Sequence, residues 1–135
     1  MSWRDHEFHL PARRWLLNRR GNLWATCPLT EAGFVRLSAQ AKVVKVESTL
    51  AEALSVLERN CADPDHVFWP QDYPFREVRP EIRARLFGHQ QISGALLLDL
   101  AIRRGGTFVT LDQRIPSLLP LDSPHRAAIE IIAAQ

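Results

Sequence analysis

Residues 105–114 read Gly-Gly-Thr-Phe-Val-Thr-Leu-Asp-Gln-Arg, and this stretch decides the fold. Thr107-Phe108-Val109-Thr110-Leu111 is a β-branched and aromatic run that suits a buried strand. Gly105-Gly106 ends the segment before it. That segment, Ala95 to Arg104, carries Leu96-Leu97-Leu98 and Leu100-Ala101-Ile102 and is apolar nearly all round. A helix of that composition belongs in the centre of its domain, and Ser93 is its expected cap. Asp112 then stands at the carboxyl end of the strand, the place where open α/β sheets bind ligands.

The flanking sequence repeats the alternation. Toward the amino end, Pro80 suits the first position of a helix running to Phe87 and ended by Gly88. Gln71 to Pro80 is proline-rich loop, and His66-Val67-Phe68-Trp69 before Pro70 is a short strand. Thr49 and Glu52 form a capping box for a helix with Leu50, Leu54, Leu57 and Cys61 on one face. Thr30 is the expected N-cap of a helix through Glu31, Phe34, Val35 and Ser38, with Pro28 at its entry. Leu23 to Thr26 is short, apolar and strand-like. Phe8, Ala12, Trp15 and Leu16 recur at helical spacing before Gly21. Toward the carboxyl end, the apolar tail Ala127 to Ala134 suits a strand or a short helix, and both stay open. Alternating elements of this kind predict an α/β sandwich around a mostly parallel sheet.

Composition sets the outer bounds. The chain has 135 residues, 46% apolar and 24% charged, which predicts one globular domain over residues 1–135 and excludes a disordered chain. Seventeen basic against 15 acidic residues give a net charge of +2, too small to identify nucleic acid as a partner. Cys27 and Cys61 lie in apolar segments and are expected as free thiols rather than a disulfide framework. No run approaches the ~20 apolar residues of a membrane span, and Met1-Ser2-Trp3-Arg4-Asp5-His6 does not read as a signal peptide. The expectation is a cytoplasmic protein.

Two carboxylates take the positions that matter. Glu31 lies in the first turn of the helix after the Leu23 to Thr26 strand, and Asp112 ends the Thr107 to Leu111 strand. Oxygen ligands on such loops suit hard divalent cations, which activate water and offset phosphate charge in nucleases. Each residue also has a plainer reading. A helix dipole favours Glu31 where it stands, and Asp112 can open an Asx turn. His6 and His9 read as a surface pair, His89 as a phosphate contact or a turn residue, and Arg36 as a phosphate contact or a surface ion-pair partner.

Three segments in order carry a family resemblance. Trp24 to Leu37, WATCPLTEAGFVRL, resembles the second acidic motif of VapC-type PIN domains. Gly88 to Ala101, GHQQISGALLLDLA, is similar to the third, and Gly105 to Arg114, GGTFVTLDQR, to the strand that ends in the fourth acidic position. Phe68-Trp69-Pro70 and Trp3-Arg4-Asp5-His6 fall where members carry similar runs. The resemblance implies a three-layer PIN fold with a central, mostly parallel sheet flanked by helices. It also implies a magnesium-dependent (or manganese-dependent) endoribonuclease, the toxin of a toxin–antitoxin pair. An RNA substrate, a cognate antitoxin and a homodimer follow as expectations.

Carried over position by position, Glu31 matches the second acid and Asp112 a later one, so these two are the expected metal ligands and catalytic residues. Gly94 stands where the third motif has its aspartate, and no apolar strand ending in the first acid precedes Trp3. Asp99, five residues past Gly94, lies about 140° round an ideal helix and ~7.5 Å further along it. It is therefore expected to pair with Arg103, four residues on, and not to replace the missing acid. Asp5 is expected to cap the first helix. Impaired cleavage is the resulting expectation. The competing reading is a degenerate PIN domain that binds antitoxin or RNA without cutting. A start site placed too late would restore the first acid but leave Gly94 unexplained.

Overall fold

The computed structural model describes residues 23–41 and 46–132; the expected helix around Phe8 to Leu16, with Asp5, His6 and His9, lies outside them. The chain divides after Gln71 into two compact units, which are taken in turn.

In the first unit, β1 (Trp24–Thr26) is followed by α1 (Pro28–Ala41), α2 (Val46–Cys61) and β2 (His66–Phe68). β1 and β2 pair in parallel, with Trp24 opposite His66 and Thr26 opposite Phe68. Parallel neighbours need a long crossover, and the two helices supply it. α1 starts two residues earlier than Thr30 would set it. Pro28 takes the first helical position, where its missing N–H costs nothing, and Cys27 is the cap. Thr30 works back on that cap: its hydroxyl accepts from the Cys27 N–H at 2.9 Å and donates to the Cys27 carbonyl at 3.0 Å. α2 likewise begins at Val46, so Thr49 lies inside its first turn. Ala53 is the buried point of α2, while Leu50 and Leu54 remain exposed. Cys27 is buried, Cys61 half-buried, and both are free thiols, as expected from the sequence.

The second unit is built on α4. After α3 (Pro80–Arg83) come a 3-10 turn (His89–Gln91), α4 (Ile92–Arg103), β3 (Phe108–Thr110), two further 3-10 turns (Ile115–Leu118 and Pro124–Ala128) and β4 (Ile129–Ile131). β3 and β4 pair in parallel, Phe108 opposite Ile129 and Thr110 opposite Ile131, so the open question of the apolar tail resolves as a 3-10 turn leading into a strand. Ala95 and Leu98 of α4 are fully buried against Val78, Ile82, Ile115, Leu118 and Leu119. Each large aliphatic side chain removed from water in this way contributes ~1.5–3 kcal/mol. The buried α4 agrees with its sequence pattern. α3 is shorter than the expected helix to Phe87, because past Arg83 the backbone tightens into i→i−3 bonds, Arg85 N–H to Ile82 and Leu86 N–H to Arg83.

α4 ends as its glycines require. Gly105 takes φ +67°, the left-handed region, while its N–H reaches Ile102 and that of Gly106 reaches Ala101. These two bonds form a Schellman motif, and they turn the chain straight into β3. Asp99, fully buried on α4, pairs with Arg103 at 2.7 Å as its spacing predicts. It also accepts from Arg79 Nε at 2.7 Å, the Arg79 backbone N–H at 3.1 Å and the Tyr73 hydroxyl at 2.8 Å. The Arg103 guanidinium lies 3.6 Å over the Tyr73 ring. Burial alone would raise the Asp99 carboxyl; the bonds from Arg79, Tyr73 and Arg103 outweigh it and hold the group below the usual carboxylate range. Asp99 thus ties the loop before α3 to α4 and is unavailable to any ligand.

Helices and parallel strand pairs in both units agree with the PIN-like α/β expectation, the sheet being represented among the described residues by two two-stranded ladders. Among those residues no helix is long and apolar enough to cross a membrane.

Candidate functional site

In the first unit, four elements deliver side chains to one point. Thr26 ends β1, Glu31 sits one turn into α1, Cys61 is the last residue of α2, and His66 opens β2. Thr26 and His66 share a face of the ladder because each lies two residues, or none, from the Trp24–His66 pair. The Thr26 hydroxyl donates to Glu31 Oε2 at 2.6 Å and lies 2.8 Å from His66 Nε2. Its one proton goes to the carboxylate, so toward His66 Nε2 the hydroxyl offers its lone pairs. Trp24 packs on the imidazole with ring centroids 4.7 Å apart, and Trp24 Nε1 donates to Asp63 at 3.2 Å.

Cys61 completes the cluster. Ligand atoms of Glu31, Cys61 and His66 all lie within 4.8 Å of one another, and no other such group of three gathers among the described residues. Burial first, then the negative charge of Glu31, pushes the Cys61 thiol up, against a lowering contact with Thr26. Glu31 was singled out from the sequence; Cys61 and His66 were not. Four residues separate the cysteine from the histidine, a spacing that a helix end and a tight turn can fold back on itself. Only the pairing of β2 with β1 shows that it does.

The second unit places Asp112 just past β3. Asp112 Oδ1 accepts from the Arg114 N–H at 2.9 Å, an Asx turn, and the Arg114 side chain closes on both carboxylate oxygens, Nε to Oδ1 at 3.0 Å and Nη2 to Oδ2 at 3.1 Å. The Arg114 side chain holds the Asp112 carboxyl below its ordinary range. Beside it lies a small cavity of about 40 Å³, lined by Gln91, Gly94, Asp112, Arg114, Ile115 and others, with room for a water or two. Gly94 and Asp112 therefore meet in one place, as the motif comparison requires. At Gly94 an added Cβ would stand 2.7 Å from Ile115 Cδ1, so a methyl group occupies the root of the missing carboxylate. Ser93 lies within the first turn of α4 and does not cap it. Gln91 does the local capping, accepting from the Phe87 and Gly88 N–H groups, while His89 and Arg36 are exposed.

These donor sets differ in what they fit. Around Glu31 a carboxylate, an imidazole and a thiol converge, which accommodates a divalent cation and favours one tolerant of nitrogen and sulfur. Around Asp112 a single carboxylate is already neutralised by a guanidinium. A hard cation there must displace Arg114 and complete its shell with water.

The fold and its two carboxylates define an α/β chain with candidate metal-binding acids, and comparison with known proteins fixes the family. Ribonuclease VapC39 of Mycobacterium tuberculosis is 33% identical over 132 residues, 98% of this chain and 91% of that protein. Ribonuclease VapC38 of the same organism is 36% identical over 87% of this chain and 82% of its own length. Ribonuclease VapC44 is 36% identical over 83% of this chain and 78% of its own. The chain belongs to the VapC ribonuclease family. No protein-family profile matches it, and no solved structure matches it closely enough to align.

Proposed function

We propose that this chain is a metal-dependent endoribonuclease of reduced activity, the toxin of a toxin–antitoxin pair, with Glu31 and Asp112 as its metal-binding carboxylates. The observation that carries the proposal is the carboxylate of Glu31, held at the carboxyl end of a parallel strand in a chain that aligns along 98% of its length with a ribonuclease. A bound magnesium or manganese ion would lower the pKa of an attacking water and offset charge on the scissile phosphate. The chain's own part is to hold the acids. Thr26 fixes the Glu31 carboxylate by its 2.6 Å bond, and Arg114 orients the Asp112 carboxylate through its two-bond fork. RNA is the substrate, a cognate antitoxin the inhibitor, and a cytoplasmic homodimer the working form.

A second reading has its own observation. Gly94 carries no carboxylate, Ile115 fills the space of one, and Asp112 is tied to Arg114, all of which favour a domain that binds RNA or antitoxin without cutting. Incubating the purified chain with structured RNA in magnesium or manganese, against a chelator control, separates the two. Slow, chelator-sensitive cleavage that Glu31→Ala abolishes supports the nuclease. RNA or antitoxin binding without cleavage at any metal concentration supports the binding module.

A further inference from the structure

A carboxylate, a thiol and an imidazole meet in the first unit. Glu31, Cys61 and His66 come from three separate elements, and their ligand atoms all lie within 4.8 Å of one another. We propose that Glu31, Cys61 and His66 form a site for a borderline-soft divalent cation of the zinc class, distinct in chemistry from a magnesium site.

The donor set carries the assignment. A thiolate and an imidazole select zinc, cobalt and their neighbours over magnesium, which takes oxygen and dehydrates reluctantly. Tetrahedral zinc holds sulfur at ~2.3 Å and nitrogen or oxygen at ~2.0–2.2 Å, which sets ligand–ligand separations of ~3.3–3.8 Å. The Glu31, Cys61 and His66 ligand atoms, all within 4.8 Å of one another, must draw together by about an ångström to reach that range. Three protein ligands leave the fourth position to water. Binding exchanges the Cys61 S–H bond for a metal–sulfur bond and releases that proton to solvent.

Thr26 supplies the supporting contact. Its hydroxyl touches both Glu31 and His66, so it fixes the carboxylate and orients the imidazole beside it. Trp24, packed on the imidazole, limits its remaining freedom. Nothing in this inference depends on RNA cleavage. A zinc-class ion that engages Glu31 does so whether or not the chain is a nuclease.

Cobalt(II) titration of the full reduced chain tests it, because thiolate ligation produces a near-ultraviolet charge-transfer band and tetrahedral geometry an intense visible one. The expected result is saturation at one equivalent, displacement by stoichiometric zinc, and no displacement by a large excess of magnesium. Cys61→Ser should abolish the charge-transfer band, Cys27→Ser should keep it, and His66→Gln should weaken binding by ~10-fold or more, the scale that loss of even a supporting partner brings. Absence of the band in the unmodified chain, its survival in Cys61→Ser, or ready displacement by magnesium overturns the proposal. These readouts stay interpretable if RNA cleavage is absent altogether.

Discussion

Glu31 and Asp112 occupy equivalent places, each just beyond the carboxyl end of a short parallel strand, yet their surroundings have opposite electrical character. Neutral or ligand-like groups surround Glu31: a hydroxyl, an imidazole and a thiol. Asp112 is clasped by a guanidinium, its charge spent inside its own turn. Among the described residues no salt bridge ties up Glu31, whereas the forked Asp112 must first give up its arginine. Equivalent strand positions thus carry carboxylates with different partners, and the partner sets what each carboxylate has left to offer. The second unit also holds a third carboxylate, Asp99, whose charge is wholly absorbed by two arginines.

The largest effect expected is on stability, at Asp99. Asp99→Asn should cost ~3–5 kcal/mol, because it leaves Arg79 and Arg103 facing a buried group that no longer balances them. Urea unfolding measures it. The folded carboxyl is depressed, so its stabilisation is complete above the unfolded carboxyl pKa of ~3.9 and is lost as pH falls through the lower folded value. The native chain should therefore lose stability only in acid, and the variant should lose less there. A loss below ~1 kcal/mol would place Asp99 with the exposed ion pairs and remove its contrast with Asp112.

A smaller effect is expected at Gly94, and it tests whether the Asp112 side can be rebuilt. Gly94→Asp restores the carboxylate but drives its Cβ against Ile115 Cδ1, a buried methyl that must swing aside. Paired with Ile115→Val, which removes that methyl for ~0.5–1.5 kcal/mol, the aspartate should enter without strain. Calorimetric magnesium binding should improve more in the double variant than in Gly94→Asp alone, and more than cleavage does. Equal gains in the two would show that Ile115 was never the obstacle.

Much of this was readable before any coordinates. The Gly-Gly turn, β3 and the buried α4 follow from local pattern, since a left-handed glycine and an apolar helix each declare themselves within ten residues or so. Glu31 was singled out through its motif, and the Asp99–Arg103 pair was legible from i,i+4 spacing. What escaped was long-range. Arg79 and Tyr73 reach Asp99 across 20 and 26 residues, and Thr26 reaches His66 across 40. Periodicity carries no information at that separation. The helix caps escaped for a different reason: Thr30 has the chemistry of a cap, but Pro28 fixes the backbone two residues earlier and turns Thr30 into its partner.

The smallest expected effect lies at Arg114, and it bears most directly on the contrast between the two acids. Arg114 is largely exposed, so its fork on Asp112 is an ion pair screened by solvent and worth little in stability. It nevertheless competes with any cation for the same two oxygens, since Nε and Nη2 hold Oδ1 and Oδ2 respectively. Arg114→Ala should leave the thermal transition nearly unchanged. It should tighten magnesium or manganese binding at Asp112 by no more than about five-fold, the scale of a surface ion pair. It should also raise the Asp112 carboxyl toward its ordinary value, because the arginine side chain is the first cause of its depression. The titration of Asp112 by carbon-detected NMR, with and without magnesium, reads both quantities on one group. Tighter binding with a raised carboxyl would show that the arginine had been standing in for the metal. If binding weakens instead, Arg114 helps to hold the ion's surroundings, and Asp112 resembles Glu31 more than its fork implies.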